Sequence, residues 1–166
     1  MEELLSILNQ LHIESYQLLK YKFNNYFPNA GNIGIFCQSN EEFEKFNKIK
    51  EVITLNTDNN NQKYFTLKKP IVVPKINDIP EITYTYLYIR KPDLTPYGKY
   101  RGDIDFFTTQ ENLNIMMNKV LNNPIDGLEI YHQKGVGNLI QISNPKFKTV
   151  AYLSTKEITE NIRVRH

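Results

Sequence analysis

The sequence predicts an α+β fold: an N-terminal helix followed by two βαβββ modules. Three observations carry this. Leucines at helical spacing open the chain, short β-branched and aromatic runs bounded by turn formers follow, and the order strand, helix, strands occurs twice after residue 31.

Residues 2–24 read as a helix, with Leu4, Leu8, Leu11, Leu18 and Leu19 near one face and Glu2, Glu14 and Lys22 facing water. Phe27-Pro28-Asn29-Ala30-Gly31 is expected to end it. Asn32–Gln38 is a short apolar strand. Ser39 or Asn40 can cap the next helix, which carries Glu41 and Glu42 in its first turn and turns Phe43, Phe46, Ile49 and Ile53 inward. Asn56–Asn61 is a permissive loop, Gln62–Val73 a strand ending at Pro74, and Ile82–Arg90 the strongest strand of the chain. A loop at Pro92–Gly98 leads to a strand at Asp103–Thr108 and a helix at Glu111–Leu121. Strands at Leu128–Gln133, Asn138–Ser143 and Thr149–Ser154 complete the body, with Gly135-Val136-Gly137 relaxing a hairpin. Ser154 and Glu157 form a capping box for a short terminal helix. The basic tail Arg163–His166 is expected to fray.

The repeat is visible within the chain itself. Asn32-Ile33-Gly34-Ile35-Phe36 lies on Asp103-Ile104-Asp105-Phe106-Phe107, and Glu41, Phe43 and Phe46 then fall on Glu111, Leu113 and Met116. The expected organisation is a single domain over 1–166. It comprises a helical segment at 1–27, modules at 32–90 and 103–154, and a terminal helix and tail at 155–166.

Composition narrows the function. Lys+Arg 20 against Asp+Glu 18 leaves a charge of +2, too close to balance for a strongly basic nucleic-acid binder. No run approaches the roughly 20 apolar residues of a membrane helix. A lone cysteine, Cys37, cannot form an intramolecular disulfide, and the acidic start MEELL does not resemble a secretory leader, so a reducing cytoplasm is the expected location. Cys37 sits among apolar neighbours and reads as a small buried residue rather than a nucleophile. The surplus of Asn, Lys and Ile is that of AT-rich codons and marks no site.

Three segments carry a family resemblance: NIGIFC (32–37) before a capped helix, YFTLKKP (64–70), and the closing LSTKEITENI (153–162). With the repeat, they resemble the YecM-like family of bacterial conserved proteins, within the vicinal oxygen chelate, or glyoxalase-like, superfamily. The resemblance implies a curved mixed sheet whose concave face holds a divalent metal on His, Gln or Glu ligands. Carried onto this chain, the ligand positions fall at about Asn32, Arg90, Asp103 and Ala151. Arg cannot ligate and Ala offers no donor, so the metal chemistry is expected to be lost; a metallated form would have to use Asp103, Asp105 and Asn32. His12, His132 and His166 lie on none of these positions, and His132 reads as a packed histidine.

Strand alternation sorts the remaining side chains. Asn32, Gly34 and Phe36 point to the ligand face with Asp103, Asp105 and Phe107, while Ile33, Ile35, Cys37, Ile104 and Phe106 point to the helices. Ile82, Tyr84, Tyr86, Tyr88 and Arg90 share one parity, predicting a tyrosine ladder that ends in a cation paired with Asp103. The cleft candidates are therefore Asn32, Phe36, Tyr84, Tyr86, Tyr88, Arg90, Asp103, Asp105 and Phe107. The expected function is binding of a small organic ligand, anionic or aromatic, without a tightly held metal or other cofactor. Two alternatives stay open: a divalent-metal-dependent lyase, isomerase or dioxygenase, and a protein-interaction domain using the first helix or the aromatic surface. A homodimer is compatible with either.

Overall fold

The computed structural model describes residues 1–24 and 28–165. Its first element is α1 (Glu2–Phe23), with two acids in its first turn and Lys20 and Lys22 in its last, as the helix dipole favours. Strand β1 (Asn29–Phe36), helix α2 (Asn40–Ile53), and strands β2 (Phe65–Val73) and β3 (Ile82–Arg90) form the first half. The second half runs β4 (Gly102–Thr108), α3 (Gln110–Asn122), β5 (Leu128–Gln133), β6 (Gly137–Ile142), β7 (Thr149–Thr155) and the short α4 (Lys156–Asn161).

All seven strands form one mixed sheet in the order β2-β3-β1-β4-β7-β6-β5. The two halves meet at the antiparallel β1–β4 pair. From there each half is laid outward in the same way, β3 parallel to β1 and β7 parallel to β4. The second half is the expected βαβββ unit. The first is βαββ and lacks one outer strand. What replaces it is a single bridge, Thr54 to Leu67, with the Leu55 amide donating to the Thr66 carbonyl. The polar, Asn-rich 56–61 segment that follows has no apolar alternation with which to extend that bridge.

One core cluster spans both halves. Leu4, Leu8, Leu11, Leu18 and Leu19 of α1, Phe46 of α2 and Leu113 of α3 pack against sheet residues including Ile33, Ile35, Ile104, Phe106 and Leu153. The first helix therefore supplies core, leaving no free apolar stripe. A smaller cluster on the opposite face joins Tyr64, Leu139 and Ile162 to Tyr86, Tyr88 and Tyr152, beside α4.

Several boundaries differ from expectation for local reasons. Strand β1 begins at Asn29, inside the expected turn, because Asn29 and Ala30 pair with Phe107 and Phe106 before a register shift at Gly31. Phe27 and His166 lie outside the described residues. Ser39 caps α2, its hydroxyl accepting from the Glu42 amide. The terminal helix is capped by Thr155 rather than Ser154; the Ser154 hydroxyl is 2.9 Å from that of Thr159 instead. Gly135 and Gly137 adopt positive φ in the β5–β6 hairpin, as its turn requires. His132 is exposed, not packed, with Nδ1 2.8 Å from Asn138 Oδ1. The tail does not fray through Arg165: its chain pairs with the 61–64 segment, Arg163 O accepting from Lys63 N and Arg165 N donating to Asn61 O. Among the described residues no helix is long and apolar enough to cross a membrane.

Candidate functional site

On the face opposite α1, α2 and α3, alternation along β4 places Asp103 and Asp105 side by side at the base of a cleft of about 720 Å³. Their neighbours Ile104 and Phe106 enter the core behind them. Both carboxyls are nearly inaccessible, 3% and 2% exposed. Burial raises both acids, and the neighbouring Asp105 charge raises Asp103 further, to about 7. At neutral pH the pair therefore holds a proton that an ordinary aspartate would have released.

The junction strand β1 supplies the counterpart. Asn32 is fully buried and in register with Asp105; its Nδ2 donates to Asp105 Oδ2 at 3.0 Å and to the Thr159 carbonyl at 2.8 Å. Its Oδ1 accepts from Arg163 Nε at 2.9 Å. Gly34 faces Asp103 in the same ladder, and a Cβ there would run into Asp103 Oδ1. Glycine is what lets the carboxylate lie down against the sheet. From β2's approach, the fully buried Tyr64 aims its hydroxyl at Asp103, 3.4 Å from Oδ1. Tyr97, from the 3-10 turn Pro96–Lys99, and Tyr152 of β7 bring their hydroxyls to 2.7 Å of each other, with Gln141 Oε1 at 3.3 Å from Tyr152. Burial, then the nearby Asp103 charge, pushes the Tyr64 and Tyr97 phenols up, so both remain protonated donors. The result is a base of acid carboxyls and phenol hydroxyls with aromatic walls.

Of the predicted residues, Phe36, Tyr88, Arg90, Asp103 and Asp105 line this cleft, and Asn32 lies directly beneath it. Tyr84 does not belong to it. Ile82 and Tyr84 pack with the core, as do Leu87 and Ile89, whereas Tyr86 and Tyr88 join the opposite cluster. The alternation of β3 thus slips by one residue between Tyr84 and Leu87. The pairing slips at the same place, from Thr66 opposite Tyr86 to Ile71 opposite Tyr84, a bulge that a strictly alternating reading cannot anticipate. Tyr84 instead lies 2.8 Å from His12 Nδ1 in the core. Since His12 Nε2 faces the Pro80 carbonyl at 3.2 Å and must donate to it, Nδ1 accepts and the Tyr84 hydroxyl donates. Burial drives this imidazole down to about 4, so it is neutral.

The remaining predicted residues also differ from expectation. Tyr86 is covered by the Arg163 guanidinium, 3.6 Å from its ring centre. Phe107 lies near Gly31, away from the cleft lining. Arg90 does not pair with Asp103. It bonds Asp93 three residues on and lies 4.9 and 4.5 Å from the ring centres of Phe36 and Tyr97. Ala151 turns into the core, and Tyr152 occupies the adjacent cleft position. Cys37 is buried and its thiol is pushed up to about 12, first by burial and then by Glu42, which leaves it unreactive.

The sequence reading missed Lys63, Tyr64, Tyr97, Tyr152 and the Arg163–Arg165 tail. Tyr64 and Tyr152 were legible as strand residues, but only pairing register places them over the acids. Nothing local marks Tyr97 or the tail.

No family model and no curated protein matches the chain. Its fold is similar to that of a solved structure described as "Structural Genomics, Protein EC4020", with a TM-score of 0.52 and 14% sequence identity over 96% of this chain and 91% of that one.

Proposed function

We propose that this chain is a glyoxalase-like, YecM-like protein that binds a small polar organic molecule in the Asp103–Asp105 cleft without a resident metal. The βαβββ second half, the βαββ first half laid out in the same way from the antiparallel β1–β4 pair, and the site at their junction support the fold-family reading. The observation that carries the binding reading is the buried carboxyl pair at the base of an open, aromatic-walled cavity. Burying two acids together is costly for folding, and a structural role would be met more cheaply by apolar side chains. Such a pair presents both a hydrogen-bond donor and acceptors to a ligand, with Tyr64, Tyr97 and Tyr152 adding hydroxyls.

The donor set does not fit a tight divalent cation. Asn32 Oδ1 is taken by Arg163, the first-module carboxylate position holds Arg90, and the second holds Tyr152 on the cleft side. Among the described residues no group of three or more His, Cys, Asp or Glu side chains converges. Two carboxylates alone favour at most a weak oxygen site.

The chain contains no tryptophan, so Tyr131→Trp at the half-exposed cleft wall creates a sole fluorescent reporter. Screening small polar metabolites against that variant is expected to give saturable changes that vanish when Asp105→Asn is added. Signals that persist in the Asp105→Asn background, or none across the screen, would contradict the reading. Saturable binding of Mn, Zn or Ni that Asp103→Asn abolishes would favour a metal-dependent enzyme instead.

A further inference from the structure

The cations at the mouth of the cleft continue beyond it. Lys63, Tyr88, Arg90 and Arg165 line a neighbouring cavity of about 450 Å³ as well as the cleft itself. This second cavity adds Lys50 and Lys91, against one acid, Asp93, which Arg90 already engages. Among the described residues neither Lys63 nor Arg165 forms an ion pair. Lys63 Nζ is instead held over the Tyr64 and Tyr88 rings, 5.1 and 5.3 Å from their centres. The tail's pairing with residues 61–64 fixes Arg165 beside it.

The two cavities share the wall of Lys63, Tyr88, Arg90 and Arg165, with the acids and phenol hydroxyls on the cleft side and Lys50 and Lys91 added on the other. Excess cations around a concave wall concentrate negative charge, and a guanidinium beside an ammonium matches a phosphate's oxygens and its charge. Asp103, Asp105 and the phenols match the hydroxyls of a sugar, which can both donate and accept.

Resting on the reading of the cleft as a small-molecule site, we propose that its ligand class is a sugar phosphate. The sugar hydroxyls lie over Asp103 and Asp105, and the phosphate lies on Lys63 and Arg165. The five cations of the second cavity favour a dianionic phosphate over a single carboxylate.

Calorimetry on the full chain with ribose 5-phosphate, adenosine 5′-monophosphate, ribose and inorganic phosphate tests this. At least one of the two phosphorylated compounds should bind, and which one distinguishes a bare sugar phosphate from a nucleotide. Ribose should bind at least about tenfold more weakly. The double variant Lys63→Ala/Arg165→Ala should lose at least about tenfold in affinity, and added salt should weaken wild-type binding. Lys119→Ala, which removes one positive charge on α3 outside both cavities, should change nothing, and melting curves check that each variant folds. Binding of neither phosphorylated compound, equal binding of ribose, or an unaffected double variant overturns the phosphate assignment. If the Tyr131→Trp screen still returns Asp105-dependent ligands in that case, the cleft reading stands and only the ligand class is lost.

Discussion

Asn32 and Asp105 face each other across the seam between the two halves of the sheet, and the Asn32 amide donates to the Asp105 carboxylate at 3.0 Å. The same side chain accepts a hydrogen bond from Arg163 Nε and donates to the Thr159 carbonyl, so one buried amide joins β1, β4, the terminal helix and the tail. The amide's two N–H groups and its oxygen are all engaged, which is the condition under which a buried polar group stabilises rather than penalises a fold.

Replacing Asn32 with Leu removes every one of these bonds and leaves Asp105 and Arg163 without their partner. The expected loss is on the order of 1–3 kcal/mol for each buried group left unsatisfied, read as a lower urea midpoint. Asn32→Asp should also destabilise, by setting a third carboxyl beside the pair. Equal stability of wild type and Asn32→Leu would show that the amide is not holding the seam.

The acid pair gives a pH dependence with a defined sign. Asp103 is raised from the ordinary 3.8 to about 7 by burial and by Asp105, so between those values the folded state holds a proton the unfolded state lacks. Stability from this group is full below about 4 and is lost as pH rises through about 7. Asp103→Asn should therefore raise the melting temperature more at pH 8 than at pH 5. An increment independent of pH would place the retained proton elsewhere.

His12 acts in the opposite sense. Its folded value is lowered from 6.5 to about 4 by burial, so its contribution is present above 6.5 and lost as pH falls through about 4. Tyr84→Phe removes the hydroxyl that donates to Nδ1 and should cost about 1–2 kcal/mol. Because Tyr84 lies in the core behind the sheet, that variant should bind cleft ligands as wild type does, whereas Tyr88→Ala should not. A Tyr84→Phe protein of normal stability and weakened binding would reverse the assignment.

Gly34→Ala tests the packing under the acids. The new methyl would meet Asp103 Oδ1, forcing the carboxyl off the sheet and toward the cleft. The expected outcome is a lower Asp103 pKa by carboxyl-carbon NMR, as the group gains water, together with weaker ligand binding. An unchanged titration would mean that the strand yields instead.

Much of this architecture was legible from residue pattern. The alternation of β1 and β4 separates Asn32, Asp103 and Asp105 from Ile33, Ile104 and Phe106 without reference to any pairing, because a strand's period is fixed by its backbone. The repeat marked the two halves, and the structure pairs their first strands at the seam. What the pattern could not give was register. A bulge between Tyr84 and Leu87 divides the tyrosine ladder between two faces, and Ala151 and Tyr152 exchange roles by a one-residue offset. Tyr64 and Arg163 come to the acids from segments distant in sequence, and Tyr97 from the 3-10 turn just before β4. Their placement follows from the sheet order and the pinned tail, neither of which leaves a local signal.

The most direct test of the cleft as a binding site is a fragment screen read by two-dimensional NMR of the isotopically labelled chain. The account predicts that the strongest hits shift amides around Asp103, Asp105, Tyr88 and Tyr152, and that Asp105→Asn abolishes those shifts. Hits that gather instead along the apolar groove of Leu5, Val52 and Val72 on the outer β2 side, unaffected by Asp105→Asn, would contradict it.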